Sequence, residues 1–241
     1  QGIRQNLDVM SSLGVIAGFM THEVQRMLYE LRQALKVLAP IAKKEPKVAK
    51  AVADLTKSEK SFQSYAEFTK LFLGDGMLIP KQPFKSKYQV KNVVDTFADF
   101  QADRSIEVEL DIADRVIAPR VPVAMYSGIA LNLHTNAMKA VIQNSGNGDK
   151  RISYRAWNDE KNHFLEVLDT GVGIPEKIRE RVFDPLYTTT SSLDSPLGSG
   201  MGLGLAMTKQ LVESAGGEIK IVDAPNGYST CFQVRLPLAR K

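Results

Sequence analysis

Asn132 and Asn136 stand four residues apart in a stretch of helical periodicity, so their side chains project from one side of it, and Lys139 joins them three residues on. Carboxamide oxygens are neutral, hard ligands suited to Mg²⁺, and an ammonium beside them suits phosphate oxygens. Further along, Asp169 closes an apolar strand and leads into Thr-Gly-Val-Gly-Ile-Pro. A carboxylate there can accept a hydrogen bond from an exocyclic amine, as on adenine, and Gly171 and Gly173 let the backbone approach a flat base without a Cβ in the way. Pro175 then suits the start of a short helix. Gly198-Ser-Gly200-Met-Gly202-Leu203-Gly204-Leu comes directly before another helical stretch. Its glycines allow a lid to fold into a helix N-terminus whose free N–H groups face phosphate. A polar loop of Ser, Thr and Asp precedes this string instead of a strand, which argues against a dinucleotide-binding turn. The ligands these segments imply together are ATP and Mg²⁺.

A nucleophile is offered far upstream. With Ala17 and Val24 as successive first positions of a heptad, His22 falls at the sixth, opposite the apolar seam and open to an incoming domain. Glu23 follows it and can take the imidazole proton as phosphate arrives. His134 and His163 show no comparable arrangement and read as structural or solvated.

The elements that must position these groups fall into two regions. Met10, Leu13, Ala17, Met20, Val24, Met27, Leu31, Ala34 and Leu38 follow the three-four spacing of a coiled coil or helical bundle. Pro40 and Lys43-Lys44-Glu45-Pro46 break it, and a second helix runs to about Leu73 before Gly74-Asp75-Gly76. A lone two-helix hairpin cannot cover both of its apolar faces, so residues 1–75 are expected to dimerise into a four-helix bundle. Residues 76–241 read as an α/β sandwich with helices on one face of a mixed sheet. Its helices are expected over 91–101, 123–143 and 202–215. Its strands are expected over 106–112, 151–157, 164–169, 218–222 and 231–236.

Composition narrows the classes. The chain has 241 residues, 44% of them hydrophobic, which is enough for real cores. Net charge is only +4, so the lysine clusters at 43–50 and 81–91 read as solvated faces and no nucleic-acid partner is expected. The single Cys231 excludes an internal disulfide and fits a reducing, cytoplasmic setting. No apolar run is long enough to cross a bilayer. The opening Gln1-Gly2 reads as a fragment, with any membrane-anchored sensor part cut away.

The four segments Asn132-Leu-His-Thr-Asn136-Ala, Asp169-Thr-Gly-Val-Gly-Ile-Pro, Phe183-Asp-Pro-Leu-Tyr-Thr188-Thr189 and Gly200-Met-Gly202-Leu203-Gly204-Leu resemble the N box, first glycine box, F box and second glycine box of the GHKL superfamily. The match continues through Gly227-Tyr-Ser-Thr230-Cys-Phe to Leu236-Pro237, and Leu13-Gly-Val-Ile-Ala-Gly-Phe-Met-Thr-His22-Glu23 is similar to a histidine box. The chain thus resembles the cytoplasmic core of a sensor histidine kinase: a phosphotransfer hairpin followed by a Bergerat-type ATP-binding domain. The resemblance implies that Asn136 holds Mg²⁺, Lys139 contacts phosphate, Asp169 binds the adenine amine and Thr230 stands beside that Asp. It also places Asn132, Thr188, Thr189, Gly200, Gly202, Leu203 and Gly204 around the nucleotide. Relatives that hydrolyse ATP, of the MutL type, carry Glu where this chain has Asn132; an amide cannot deprotonate water, which favours transfer to His22. A response-regulator aspartate is the implied final acceptor and a homodimer the implied assembly. Arg26 and Met27 stand where the family has Thr or Asn and then Pro. Leu186 stands where the family usually has Phe, and Thr190 where a Lys or Arg often meets the terminal phosphate. These departures motivate an alternative, an ATP-gated conformational switch that does not phosphorylate His22.

Overall fold

The computed structural model describes residues 28–42, 44–46, 48–53, 55–56, 59, 83–144, 148–187, 202 and 204–238. The chain divides into two units, Gln1–Pro80 and Lys81–Lys241. The expected boundary at residues 75 and 76 lies outside the described residues, as do His22, Glu23, Arg26, Met27, Thr188, Thr189, Thr190, Gly200 and Leu203.

In the first unit, residues 28–42 are helical, so the helix runs two residues past Pro40, the expected break. Leu28 and Leu35 are buried, with Leu31 and Leu38 half-buried, so the inward stripe keeps the three-four spacing expected of it. Its register differs from the expected one: Leu28 and Leu35, neither read as part of the seam, are buried, and Ala34, read as part of it, is exposed. Arg32 pairs with the buried carboxylate of Glu59, linking two stretches of the chain. Tyr29, Val37, Ile41 and Leu55 remain exposed within this unit.

The second unit is built on one mixed sheet. Its elements run α1 (Ser86–Thr96), α2 (Ala98–Asp103), β1 (Ile106–Ile112), α3 (Val123–Gln143), β2 (Lys150–Asn158), β3 (Asn162–Asp169), two short 3₁₀ turns (Glu176–Ile178 and Arg181–Phe183), α4 (Gly204–Ser214), β4 (Glu218–Val222) and β5 (Thr230–Pro237). Strand order is β1-β2-β3-β5-β4, with β1 and β2 parallel and the remaining neighbours antiparallel. A parallel pair needs a long crossover, and α3 supplies it. Strand β1 alternates Ile106, Val108, Leu110 and Ile112 with Glu107, Glu109 and Asp111, which turns one side to the core and the other outward. Helix α3 is buried on most of its circumference because it lies on β2 and β3 while α1 and α4 pack beside it. On the far side of the sheet Trp157 stacks on Phe164 among charged neighbours.

The helix expected over 91–101 is in fact two. Helix α1 begins earlier, at Ser86, and stops at Phe97, whose backbone leaves helical geometry as its N–H bonds the carbonyl of Val94 three residues back. Ser86 is buried against Tyr126, a tertiary contact that sequence periodicity does not register. Strands β2, β3 and β5 extend a residue or two past their expected ends, and α4 starts at Gly204 instead of Gly202. Bounds at β1, α3 and β4 are as expected.

Both described histidines are structural. Gln101 Nε2 donates to His134 Nε2 at 2.9 Å, and burial pushes this imidazole down to about 3. His163 lies between Tyr126 (2.9 Å) and Asn158 (2.7 Å), and burial pushes it down to about 4.

Candidate functional site

Asp169 ends β3 with Ile152 of β2 on one side and Thr230 of β5 on the other. Its backbone is pinned, since Ser229 N–H donates to the Asp169 carbonyl at 2.8 Å and Thr170 N–H to that of Arg151 at 3.1 Å. The residue is 2% exposed. Gly171 N–H (2.8 Å) and Thr230 Oγ1 (3.3 Å) both donate to Oδ1, which leaves Oδ2 as the oxygen a ligand's donor would meet. Burial raises this carboxyl to about 6, and the two hydrogen bonds only partly oppose it.

The glycines after Asp169 answer a packing need. A Cβ on Gly171 would lie 2.5 Å from the backbone carbon and the Cβ of Ala140 in α3, so only glycine lets this turn pass beneath the helix. Asn144 Nδ2, just past the end of α3, donates to the Thr170 carbonyl at 2.8 Å and ties helix and turn together. Gly173 takes φ +73 beside Ser229.

Helix α3 carries the other half of the site. Asn132 is buried, and Asn136 and Lys139 are half-buried on the turns that follow. Partial burial lowers the Lys139 ammonium from its ordinary value, and an anion beside it would favour the charged form and offset that penalty. From Asn132 to Ala140 the helix advances about 12 Å. One end of that span touches the start of α4, where a Cβ on Gly204 would overlap Asn132 Oδ1, and the other touches Gly171. Asn136 therefore stands midway between the α4 N-terminus and the Asp169 turn. Gly202 adopts φ +68, and its carbonyl accepts from Leu186 N–H at 3.0 Å, so residues on either side of segment 187–201 meet.

The fold thus brings Asn132, Asn136, Lys139, Asp169, Gly171, Gly173, Gly202, Gly204 and Thr230 around one region. Asn132 differs in kind from the others: its carboxamide is already engaged, with Nδ2 donating to Thr208 Oγ1 at 2.7 Å. Thr208, Ala140, Asn144 and Ser229 were not singled out from sequence. For Thr208 a signal existed, a hydroxyl on the buried α4 stripe with Leu211 and Val212. The rest act through backbone or packing, which residue type does not advertise.

The residues present fit an adenine nucleotide. Asp169 offers a buried acceptor suited to a base amine, Gly171 and Gly173 lie in the turn next to it, and the α4 N-terminus, the Lys139 ammonium and the Asn136 carboxamide offer groups suited to a phosphate chain and a hard cation.

Residues 126–240 match the family described as histidine kinase-, DNA gyrase B-, and HSP90-like ATPase. The chain is 33% identical over 178 residues to the signal transduction histidine-protein kinase BarA of Escherichia coli K12, covering 71% of this chain and 19% of that protein. It is 25% identical over 240 residues to the two-component sensor PprA of Pseudomonas aeruginosa, covering 95% of this chain and 25% of that one. The chain therefore spans about a fifth to a quarter of the length of these curated relatives. The solved catalytic domain of histidine kinase ThkA shares the fold, with TM-score 0.54 at 20% identity over 66% of this chain and 98% of that one.

Proposed function

Residues 126–240 belong to the histidine kinase-, DNA gyrase B-, and HSP90-like ATPase family, and from that premise we propose that the chain is the ATP-dependent autokinase core of a two-component system. The observation that carries the proposal is the buried Asp169, with Oδ2 unclaimed by its two protein donors, one side chain in a region that also gathers Asn136, Lys139 and the N-terminus of α4.

Asp169 accepts from the adenine amine while Gly171, Gly173 and Thr230 shape the seat of the base. Lys139 and the N–H groups from Gly202 and Gly204 face the phosphates, and Thr188, Thr189, Gly200 and Leu203 are further nucleotide-binding residues. Asn136 would hold Mg²⁺, which supplies charge neutralisation on the phosphate oxygens. His22 attacks the terminal phosphorus: the N–P bond forms, the P–O bond to ADP breaks, and the ring proton passes to Glu23. The phosphoryl group then moves to an aspartate of a response-regulator receiver domain. Residues 1–75 serve as the phosphotransfer and dimerisation unit and 76–241 as the catalytic one. The exposed Val37, Ile41 and Leu55 support pairing with a second copy of the hairpin. The working location is the cytoplasm, the reducing setting that the single Cys231 suits. Among the described residues no helix is long and apolar enough to cross a membrane.

Incubation with γ-labelled ATP tests the proposal. Acid-labile label should appear on the wild type and be absent from both His22→Gln and Asn136→Ala. If ATP binds but no His22-dependent label forms, the chain is instead the nucleotide-gated switch that its Arg26, Met27 and Thr190 suggest.

A further inference from the structure

The phosphate half of the site depends on a side chain outside all of the glycine segments. We propose that Thr208 is a positioning residue whose hydroxyl locks the N-terminus of α4 onto Asn132 of α3, and so sets where the phosphate-facing N–H groups stand relative to Asn136 and Lys139. This rests on the nucleotide reading above.

Thr208 lies one turn into α4 and is fully buried. Its hydroxyl makes two bonds in a row. It accepts from Asn132 Nδ2 at 2.7 Å and donates to the Gly204 carbonyl at 2.9 Å. The second bond alone would be the ordinary back-bonding of a helical threonine. The first makes it a bridge between helices, joining residues 76 positions apart. Gly204 completes the arrangement, because any Cβ there would collide with Asn132 Oδ1. The first residue of α4 therefore rests directly on the carboxamide.

Two consequences follow. Asn132 is held by its Nδ2 bond and its Oδ1 is covered by Gly204, so Asn136, half-buried one turn further along α3, is the more accessible carboxamide for a cation. And the two elements that face the phosphates, α3 and the start of α4, are joined at that end by this hydroxyl, in addition to the side-chain packing between the helices. The adenine seat is built separately, from Asp169, Gly171 and Thr230 on the sheet side. Removing the hydroxyl leaves Asn132 Nδ2 buried without that acceptor and frees the α4 N-terminus to shift, which reaches the phosphates and spares the base.

The test compares the full chain with Thr208→Val, which keeps the shape and lacks the hydroxyl, with Thr208→Ser, which keeps the hydroxyl, and with Gly204→Ala. Affinity is measured for ATP by calorimetry in magnesium buffer and for adenosine by NMR titration. Thr208→Val should weaken ATP about fivefold, the equivalent of roughly 1 kcal/mol, while adenosine moves less than about twofold and Thr208→Ser restores ATP. Gly204→Ala should reproduce the selective loss. Parallel weakening of ATP and adenosine, or an unchanged ATP affinity in Thr208→Val, overturns the role assigned to Thr208 and leaves the nucleotide reading standing. A wild type that binds neither ligand overturns both.

Discussion

Replacing Asp169 with Asn should make the protein more stable and less able to bind its nucleotide. Burial lifts this carboxyl from 3.8 to about 6. Between those values the folded chain holds a proton that the unfolded chain has released, so the stability contributed is complete below pH 3.8 and is lost as pH rises through about 6. Above that, keeping the carboxylate ionised in its buried seat costs the fold roughly 3 kcal/mol, from about 2 pKa units at 1.36 kcal/mol each. A neutral amide carries no such cost. With about 2–4 °C per kcal/mol for a domain of this size, Asp169→Asn should melt roughly 5–10 °C above wild type near pH 7.5, and the gap should close by about pH 4. Taking the difference between the two proteins cancels His134 and His163, whose depressed values make stability fall as pH drops over the same range. At the ligand the effect is opposite. Asn Oδ1 still accepts from Gly171 and Thr230, so the amide nitrogen takes the place of Oδ2 and meets the adenine amine donor to donor. ATP affinity should fall about a hundredfold, the equivalent of roughly 3 kcal/mol. Thermal melting from pH 4 to 8 without nucleotide, and calorimetry with ATP, measure both halves. A melting gap that does not change with pH would refute the electrostatic reasoning, and undiminished ATP binding would refute the role given to the carboxylate.

Gly171→Ala should cost roughly 1–3 kcal/mol and weaken nucleotide binding, because its Cβ would press on the α3 backbone at Ala140, which has no side-chain freedom to yield; an unchanged melting temperature would contradict this. Cys231 is buried and its thiol is pushed up to about 12. Iodoacetamide near pH 8 should therefore modify it only after denaturant is added, and rapid labelling of the native chain would show that strand β5 opens.

Much of the fold could be read in advance because it depends on local patterns. The alternation in β1, the long apolar run of α3 and the short β4 each carry their own period, and their bounds emerge as expected. Helix α1 departs from its expected bounds at an end where Ser86 meets Tyr126, 40 residues away, a contact that local spacing does not carry. The stripe of helix 28–42 shows the same limit on a smaller scale. Spacing tells that an apolar face exists, but whether Ala34 or Leu35 turns inward depends on what lies opposite.

The sequence by itself determined the chemistry on offer: a carboxylate at a strand end, carboxamides and an ammonium on one helix, and glycines before another, since residue type and near spacing carry those properties unaided. The tertiary structure alone decided how each group is used. Asp169 acquires its raised pKa only when strands on both sides and the turn at Gly171 exclude water from it. Asn132 and Asn136 are the same residue on the same helix, yet one is buried and bound to Thr208 while the other stands half-buried, because burial and hydrogen bonding are properties of neighbours that the chain brings together only by folding.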